Sequence, residues 1–188
     1  NHRYIDAVDE HYYESPGWFI NHQDYYDHYD RSQAKVYLGE YASRGRNALD
    51  NALAEGIYLC SIERNADIVE MASYAPLLSK DGHSNWSPDL IYFKDGGRGL
   101  KSDETPVRLT PSYEIQRLFS IHSGDYYIPS TIDLVPQLKK WVGTSIVRNS
   151  TTGITWLKVV NAVSQPITLM VDNRQFTVPA KSWQAFQL

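Results

Sequence analysis

The first candidate for chemistry in this sequence is a lone carboxylate that follows a short apolar run. Residues 36–38 are apolar, and Gly39 and Glu40 come directly after them. The pattern predicts a short buried strand over 35–40 with an acidic group at its carboxyl end, which is where ligands and chemistry are found in parallel sheets and barrels. With aromatic neighbours such a carboxylate suits sugar chemistry; the structural alternative is a glutamate that caps a helix or pairs with an arginine.

A second group of polar and aromatic residues follows the first apolar run of the chain. Residues 9–13, which include His11 and Tyr13, crowd the end of a strand predicted over 5–13. Polar and aromatic side chains at the carboxyl end of a strand are typical of the rim of a binding site. A turn with surface aromatic residues is the competing interpretation.

Strands and helices alternate through the first part of the chain, which is typical of parallel βα units with crossover helices. The clearest helix is 48–65, where leucine and isoleucine recur at helical spacing behind Asn47, a good N-cap residue. Gly56 inside this helix costs about 1 kcal/mol relative to alanine, and close packing is its expected reason. The full series is a strand over 5–13, a polar helix over 21–32, a strand over 35–40, the helix over 48–65 and a strand over 68–74.

The predicted secondary structure changes twice in the rest of the chain. Residues 78–110 are predicted to be mostly loop, a usual place for substrate contacts, and Thr110-Pro111 begins a helix that runs to residue 121. From about residue 126, alternating β-branched, aromatic and polar residues predict an antiparallel β-sandwich region, so the domains are 1–124 and 125–188. The predicted strands of the second domain are 141–149, 154–162, 167–172, 175–179 and 182–188.

Composition narrows the range of functions. The 188 residues carry a net charge of −4 and no cluster of Lys and Arg, which argues against a nucleic-acid partner. No apolar run of about 18 residues is present, so no membrane span is expected. His22 and His28 do not share a helical face and are not predicted as metal ligands. The absence of an initiator Met suggests a processed or excised piece.

Aromatic residues are plentiful, with 14 Tyr and 5 Trp. Rings without basic charge suit the C–H faces of sugars, and they equally suit an all-β core. Trp141, Trp156 and Trp183 are the candidates for a sugar platform, although tryptophans in alternating strands more often belong to the core.

Several short motifs occur along the chain in a fixed order. They are Gly-Glu-Tyr-Ala at 39–42, Glu-Arg-Asn-Ala-Asp at 63–67, Met-Ala-Ser-Tyr-Ala-Pro-Leu at 71–77, Trp-Ser-Pro-Asp-Leu-Ile-Tyr-Phe at 86–93, Pro-Ser-Tyr at 111–113 and Leu-Phe-Ser at 118–120. From about residue 5 to its end, the sequence resembles the carboxyl-terminal part of the α-L-arabinofuranosidases of glycoside hydrolase family fifty-one.

The resemblance implies a fold and a mechanism. These enzymes have a (β/α)8 barrel and a jelly-roll-like β-sandwich, so the strands over 5–13, 35–40 and 68–74 would be the last three of the barrel. They are retaining glycosidases, which use two carboxyl groups about 5 Å apart, one as the nucleophile and one as the acid/base. Glu40 matches the nucleophile. The residues that match substrate-facing or nucleophile-positioning parts of the family pattern are His11, Tyr13, Asn85 and Trp86.

The family pattern is incomplete in this chain. The acid/base Glu of the family follows an Asn in a Gly-Asn-Glu motif, which does not occur here. We therefore expect a carboxyl-terminal fragment that is inactive alone and needs the missing amino-terminal part of the same enzyme as its partner. Free strand edges predict self-association into a homo-oligomer.

The resemblance also implies a substrate and a setting. The substrate would be terminal arabinofuranosyl residues of arabinan or arabinoxylan, in a secreted or periplasmic protein that needs no cofactor. The alternative function is a non-catalytic carbohydrate-binding or structural β-sandwich module.

Overall fold

The computed structural model describes residues 5–94 and 106–188. A parallel sheet with helices comes first in the chain, and antiparallel sheets follow it. The elements of the first half are β1 (Ala7–Glu14), α1 (Pro16–Asn21), β2 (Lys35–Ser43), α2 (Ala48–Arg64), β3 (Val69–Tyr74), β4 (Leu78–Lys80), β5 (Ile91–Phe93), β6 (Val107–Leu109) and α3 (Pro111–Ile121). Those of the second half are β7 (Tyr126–Tyr127), α4 (Pro136–Lys139), β8 (Val142–Arg148), β9 (Thr155–Asn161), β10 (Ile167–Val171), β11 (Arg174–Val178) and β12 (Ser182–Gln187).

β2 is the central strand of a three-stranded parallel sheet with the order β1-β2-β3, which confirms the predicted parallel βα units. Val36 of β2 is opposite Val8 on one side and Val69 on the other. Val36 and Leu38 are fully buried in the same apolar core as α2. Within the described residues β1 and β3 pair on one side only, so the sheet has two free edges.

α2 is buried over most of its length. Asn47 caps it by accepting hydrogen bonds from two backbone N–H groups of the first turn, as the sequence predicts. Every residue from 51 to 62 is buried, which is typical of a helix that is enclosed from several sides. A Cβ atom added to Gly56 would lie 2.8 Å from a side-chain carbon of Ile115 in α3. This distance confirms that close packing explains the glycine.

α2 also joins the parallel sheet to the antiparallel one. A Cβ atom on Gly143 of β8 would lie 2.9 Å from the Cα atom of Ile57, so the backbones of strand and helix are in close contact. Near the end of α2, Glu63 forms an ion pair with Lys158 of β9, which is fully buried. The first apolar core contains residues from both sides of Gly124, and the division of the chain there stays a prediction.

The predicted helix over 21–32 is wrong. Helix α1 begins earlier, because Ser15 caps it by accepting a hydrogen bond from the N–H of Trp18 at 3.2 Å. Pro16 occupies the first helical turn, where its fixed φ angle suits a helix. Only a single 3₁₀ turn, Tyr25–His28, forms within the predicted range.

One further boundary differs from the prediction. β2 does not end at Glu40 but continues to Ser43, whose N–H donates to buried Glu55 Oε1 at 2.8 Å. The described part of the region 78–110 is mostly loop, as predicted, and β4, β5 and β6 form a small sheet within it. The portion of that prediction on residues 95–105 lies outside the described residues.

The antiparallel strands of the second half are confirmed. They form a four-stranded sheet with the order β12-β9-β8-β7 and a hairpin of β10 and β11. Asp172 and Asn173 make the hairpin turn with φ angles of 47° and 63°, as a type I′ turn requires. A second apolar core lies among these strands. Its buried residues are Val142, Ile146, Leu157, Val159, Ile167, Leu169, Phe176 and Val178.

The tryptophans of the second half favour the core interpretation. Trp141 and Trp183 are partly buried and pack against the first apolar core. Trp156 instead meets the ring of His122 edge-on, with ring centroids 4.4 Å apart. The rings therefore do not line up as one exposed sugar platform. No helix within residues 5–94 and 106–188 combines the length and apolar character that a membrane span needs.

Candidate active site

A β-bulge in β2 decides which way Glu40 points. Leu38 is opposite Glu10 of β1, but the next residue of β1, His11, is opposite Glu40, so Gly39 is the extra residue. In an unbroken strand Glu40 would share the face of fully buried Leu38. The bulge moves Glu40 to the opposite face of the sheet.

Glu40, His11 and Tyr13 meet on that face. Tyr13 Oη donates a hydrogen bond to Glu40 Oε2 at 2.6 Å. His11 Nδ1 lies 3.5 Å from the same oxygen, at the distance of an ion pair rather than a hydrogen bond. Both contacts use Oε2, so Oε1 has no hydrogen-bond partner within the described part of the chain. The Glu40 side chain is 43% exposed.

Asp9 lies on the same face, although sequence reasoning did not select it as a site residue. Its Oδ2 atom lies 3.0 Å from His11 Nε2, so the imidazole ring stands between two carboxylates. Asp9, His11 and Tyr13 share a face because alternate residues of a strand point the same way. That two-residue spacing was the signal in the sequence that could have identified Asp9.

An aromatic side chain borders the site. The ring of Trp86 meets the ring of Tyr13 nearly at a right angle, with centroids 5.0 Å apart. Arg44, just beyond β2, holds its guanidinium 4.8 Å from the centre of the Trp86 ring, a cation–π distance. Trp86 Nε1 is buried and has no hydrogen-bond partner among the described residues. Nothing in the sequence pattern pointed to Arg44, since its contact is with a residue of a distant loop.

Trp86 contacts Tyr13 through its ring, whereas no comparable contact links Asn85 to this group within the described residues. Asn85 is exposed, and its side chain makes no hydrogen bond to any residue in the described ranges. The predicted site residues His11, Tyr13, Glu40 and Trp86 are brought together by direct contacts. Within the same ranges, no group of His, Cys, Asp and Glu side chains is arranged to hold a metal ion.

Tyr13 is a strong hydrogen-bond donor in this setting. Burial, and after it the hydrogen bond to Glu40 and the charge of that carboxylate, together raise the pKa of Tyr13 to about 12. The phenol therefore stays neutral at physiological pH and keeps its proton directed at Glu40 Oε2. A donor on Oε2 fixes the orientation of the carboxylate and leaves Oε1 without a hydrogen-bond partner among the described residues.

Glu10, the other carboxylate at this end of β1, has a structural role. It lies on the opposite face, where Tyr12 and Tyr26 donate to its Oε2 atom at 2.7 and 2.9 Å. Tyr29 donates to the other oxygen. With both oxygens engaged, Glu10 ties β1 to the 3₁₀ turn. Tyr26 and Tyr29 thereby pack this segment on the sheet.

Comparison with known proteins places the chain in a class of enzyme domains. The family described as the alpha-L-arabinofuranosidase C-terminal domain matches residues 24–187. The chain belongs to this family, as the sequence motifs predict.

Individual relatives point the same way. The extracellular exo-alpha-L-arabinofuranosidase of Streptomyces chartreusis is 39% identical over 181 residues, which are 95% of this chain and 20% of the relative. Alpha-L-arabinofuranosidase 1 of Arabidopsis thaliana is 36% identical over 131 residues, which are 68% of this chain and 18% of the relative. The chain thus spans about a fifth of the length of the curated relatives that it matches.

Solved structures agree on the fold. The arabinose-bound MgGH51 α-L-arabinofuranosidase aligns with a TM-score of 0.75 and 26% identity, over 97% of this chain and 35% of that protein. The arabinose complex of the Thermotoga maritima α-L-arabinofuranosidase aligns with a TM-score of 0.56 and 15% identity, over 97% of this chain and 50% of that protein. The second likeness concerns the fold alone.

Proposed function

We propose that this chain is the carboxyl-terminal part of a retaining α-L-arabinofuranosidase and supplies its nucleophile, Glu40. The observation that carries the proposal is the convergence of Tyr13 Oη and His11 Nδ1 on one oxygen of Glu40, at 2.6 and 3.5 Å. The other oxygen, Oε1, is left on the accessible face with no partner in the described residues. A carboxylate held by one oxygen and open at the other suits in-line attack on a carbon centre.

In the proposed reaction Glu40 Oε1 attacks the anomeric carbon of a terminal arabinofuranosyl residue. The bond from that carbon to the leaving oxygen breaks, and a carboxylic acid from outside this chain protonates the leaving oxygen. The resulting glycosyl ester is then attacked at the anomeric carbon by a water molecule that the same outside group deprotonates. Glu40 leaves as the carboxylate, and Tyr13 keeps its hydrogen bond to Oε2 through both steps.

The same proposal assigns a place in the whole enzyme to each half of this chain. The strands β1, β2 and β3 act as the last three of a (β/α)8 barrel within 1–124, and 125–188 acts as a jelly-roll-like β-sandwich. The free edges of β1 and β3 and the parallel register suit insertion between further parallel strands. The partner is the amino-terminal part of the same enzyme.

The substrate is an arabinose-containing glycan such as arabinan or arabinoxylan, met outside the cytoplasm. Two related structures hold arabinose, and the Streptomyces relative is an extracellular enzyme. His11, Tyr13, Asn85 and Trp86 face the substrate in this proposal. Trp86 offers a ring beside Tyr13, and sugar C–H faces pack on such rings.

A chimaera tests the function. This chain replaces the matching fifth of the Streptomyces chartreusis enzyme, and hydrolysis of 4-nitrophenyl α-L-arabinofuranoside is measured for the chimaera and for this chain alone. We expect turnover by the chimaera only, since loss of the general acid alone costs about 10²–10⁴-fold. Turnover by the chain alone would contradict the need for a partner.

The role of Glu40 is tested in the same chimaera. We expect Glu40→Ala to abolish turnover, and added azide to restore it with a β-configured arabinosyl azide as product, because the small anion takes the place of the missing nucleophile. Glu114→Gln is the matched control, since Glu114 is exposed in the first turn of α3. Full activity of Glu40→Ala would remove Glu40 from the mechanism.

A further inference from the structure

We propose that Asp9 is a positioning residue for Glu40 and acts through His11. Its effect on the reaction rests on the proposed function, whereas its effect on the His11 ring does not. The contact that carries the proposal joins Asp9 Oδ2 and His11 Nε2 at 3.0 Å. On the other side of the ring, His11 Nδ1 faces Glu40 Oε2 at 3.5 Å.

The chemistry of the carboxylate decides where the ring proton sits. An ionised carboxylate only accepts hydrogen bonds, so a His11 ring that bonds to Asp9 carries a proton on Nε2. The ring is thereby fixed in orientation, and its Nδ1 edge faces Glu40 Oε2, which it attracts when Nδ1 also carries a proton. Without Asp9 the Nε2 proton has no fixed partner and the ring is free to turn away from Glu40, because the His11 side chain is 45% exposed.

Gly39 supplies a second, independent observation. A Cβ atom at this position would lie 2.1 Å from Asp9 Oδ1 and 3.0 Å from Asp9 Cγ. The Asp9 carboxylate therefore rests directly over the backbone of Gly39, in space that any other residue would occupy. Since the acidic end of Asp9 can swing away, a side chain at position 39 displaces the carboxylate from His11.

The bulge at Gly39 thus has two effects on the same site. It turns Glu40 to the accessible face, and the missing side chain leaves room for the residue that orients His11. Both effects converge on one oxygen of Glu40. Asp9 does not touch the reacting atoms, so the role is one of positioning.

Nuclear magnetic resonance of the histidine rings tests the first step on this chain itself. With ¹⁵N-labelled histidine, and the His11 signals assigned from a His11→Gln sample, we expect His11 to carry its proton on Nε2. Asp9→Ala should shift the ring to a mixture of tautomers, and Asp9→Asn, which keeps an accepting oxygen, should retain the Nε2 proton. Asp24→Ala is the control, because Asp24 forms the exposed pair with His28 at 3.8 Å.

Kinetics in the chimaera test the consequence for catalysis. A partner that orients a metal-bound histidine is worth about 10–100-fold, and we expect Asp9→Ala to lower kcat by that order with KM changed less than about twofold. Asp9→Asn should recover most of the loss. Gly39→Ala should cause a similar loss of kcat. The double variant Asp9→Ala/Gly39→Ala should have a kcat no lower than that of the less active single variant.

The outcomes separate this proposal from the one on which it rests. Unchanged His11 signals in Asp9→Ala, or losses that multiply in the double variant, overturn the role of Asp9 and leave Glu40 untouched. Full activity of Glu40→Ala overturns the nucleophile assignment, while the ring proton of His11 still reports on Asp9. An increase in KM with kcat unchanged overturns the positioning role and makes Asp9 a substrate-binding residue.

Discussion

Replacing either partner of the ion pair between Lys158 and Glu63 tests how the antiparallel sheet is attached to α2. Lys158 is fully buried, whereas the side chain of Glu63 is 22% exposed. Lys158 Nζ also donates to the backbone oxygen of His122 at 3.1 Å and lies 4.8 Å from the ring centre of Phe119. Glu63 accepts a further hydrogen bond from Ser145 Oγ.

The two single variants should differ in cost because the two partners differ in exposure. Breaking a buried ion pair by removing one partner costs about 3–5 kcal/mol, since a charge is left without compensation. Glu63→Met leaves the ammonium fully buried with one carbonyl, so we expect a cost of about 4 kcal/mol. Lys158→Met leaves a carboxylate that keeps its bond to Ser145 and reaches water, so we expect about 2–3 kcal/mol.

The double variant completes the cycle. An apolar pair of similar volume often replaces a buried ion pair at little cost, so Glu63→Met/Lys158→Met should lie within about 1 kcal/mol of the unaltered chain. The assay is urea unfolding followed by tryptophan fluorescence and by circular dichroism, which must give coincident transitions. The reasoning fails if Lys158→Met costs more than Glu63→Met, or if the double variant is as unstable as the worse single variant.

Three further predictions follow from other contacts. Tyr13→Phe in the chimaera removes a 2.6 Å hydrogen bond to Glu40, worth about 1.5–3 kcal/mol for a charged acceptor, and should lower kcat about 10–100-fold; an unchanged kcat would contradict the role of Tyr13. Burial raises the pKa of Glu55 to about 8, so its neutral form stabilises the fold fully below the ordinary glutamate pKa of about 4.3. That stability is lost as pH rises toward 8, by at most about 1.4 kcal/mol per pH unit; urea midpoints should fall over this window and stay flatter in Glu55→Gln, and parallel profiles would refute the assignment. The free edges of β1 and β3, together with Met71 at 57% exposure, should make this chain self-associate in light scattering, which a monomer at all concentrations would contradict.

Local sequence signals were sufficient where one short-range interaction decides the structure. Asn47 begins α2 and Thr110 begins α3, because each side chain caps the N–H groups that follow it. The turn at Asp172 and Asn173 is likewise local. The ordered motifs between residues 39 and 120 identified the family, which the comparisons confirm. The same kind of reasoning failed for the helix predicted over 21–32, because the helix begins at Pro16 with Ser15 as its N-cap.

The sequence by itself determined the parallel and antiparallel regions, the family, and Glu40, His11, Tyr13 and Trp86 as candidate site residues. Only the tertiary structure decided which face Glu40 occupies, because a one-residue bulge at Gly39 reverses the alternation that a strand pattern assumes. Tertiary structure also brought Arg44 to Trp86 and put Asp9 beside His11. Such contacts depend on the register in which strands pair and on loops from distant parts of the chain. Neither can be read from the spacing of residues along one strand.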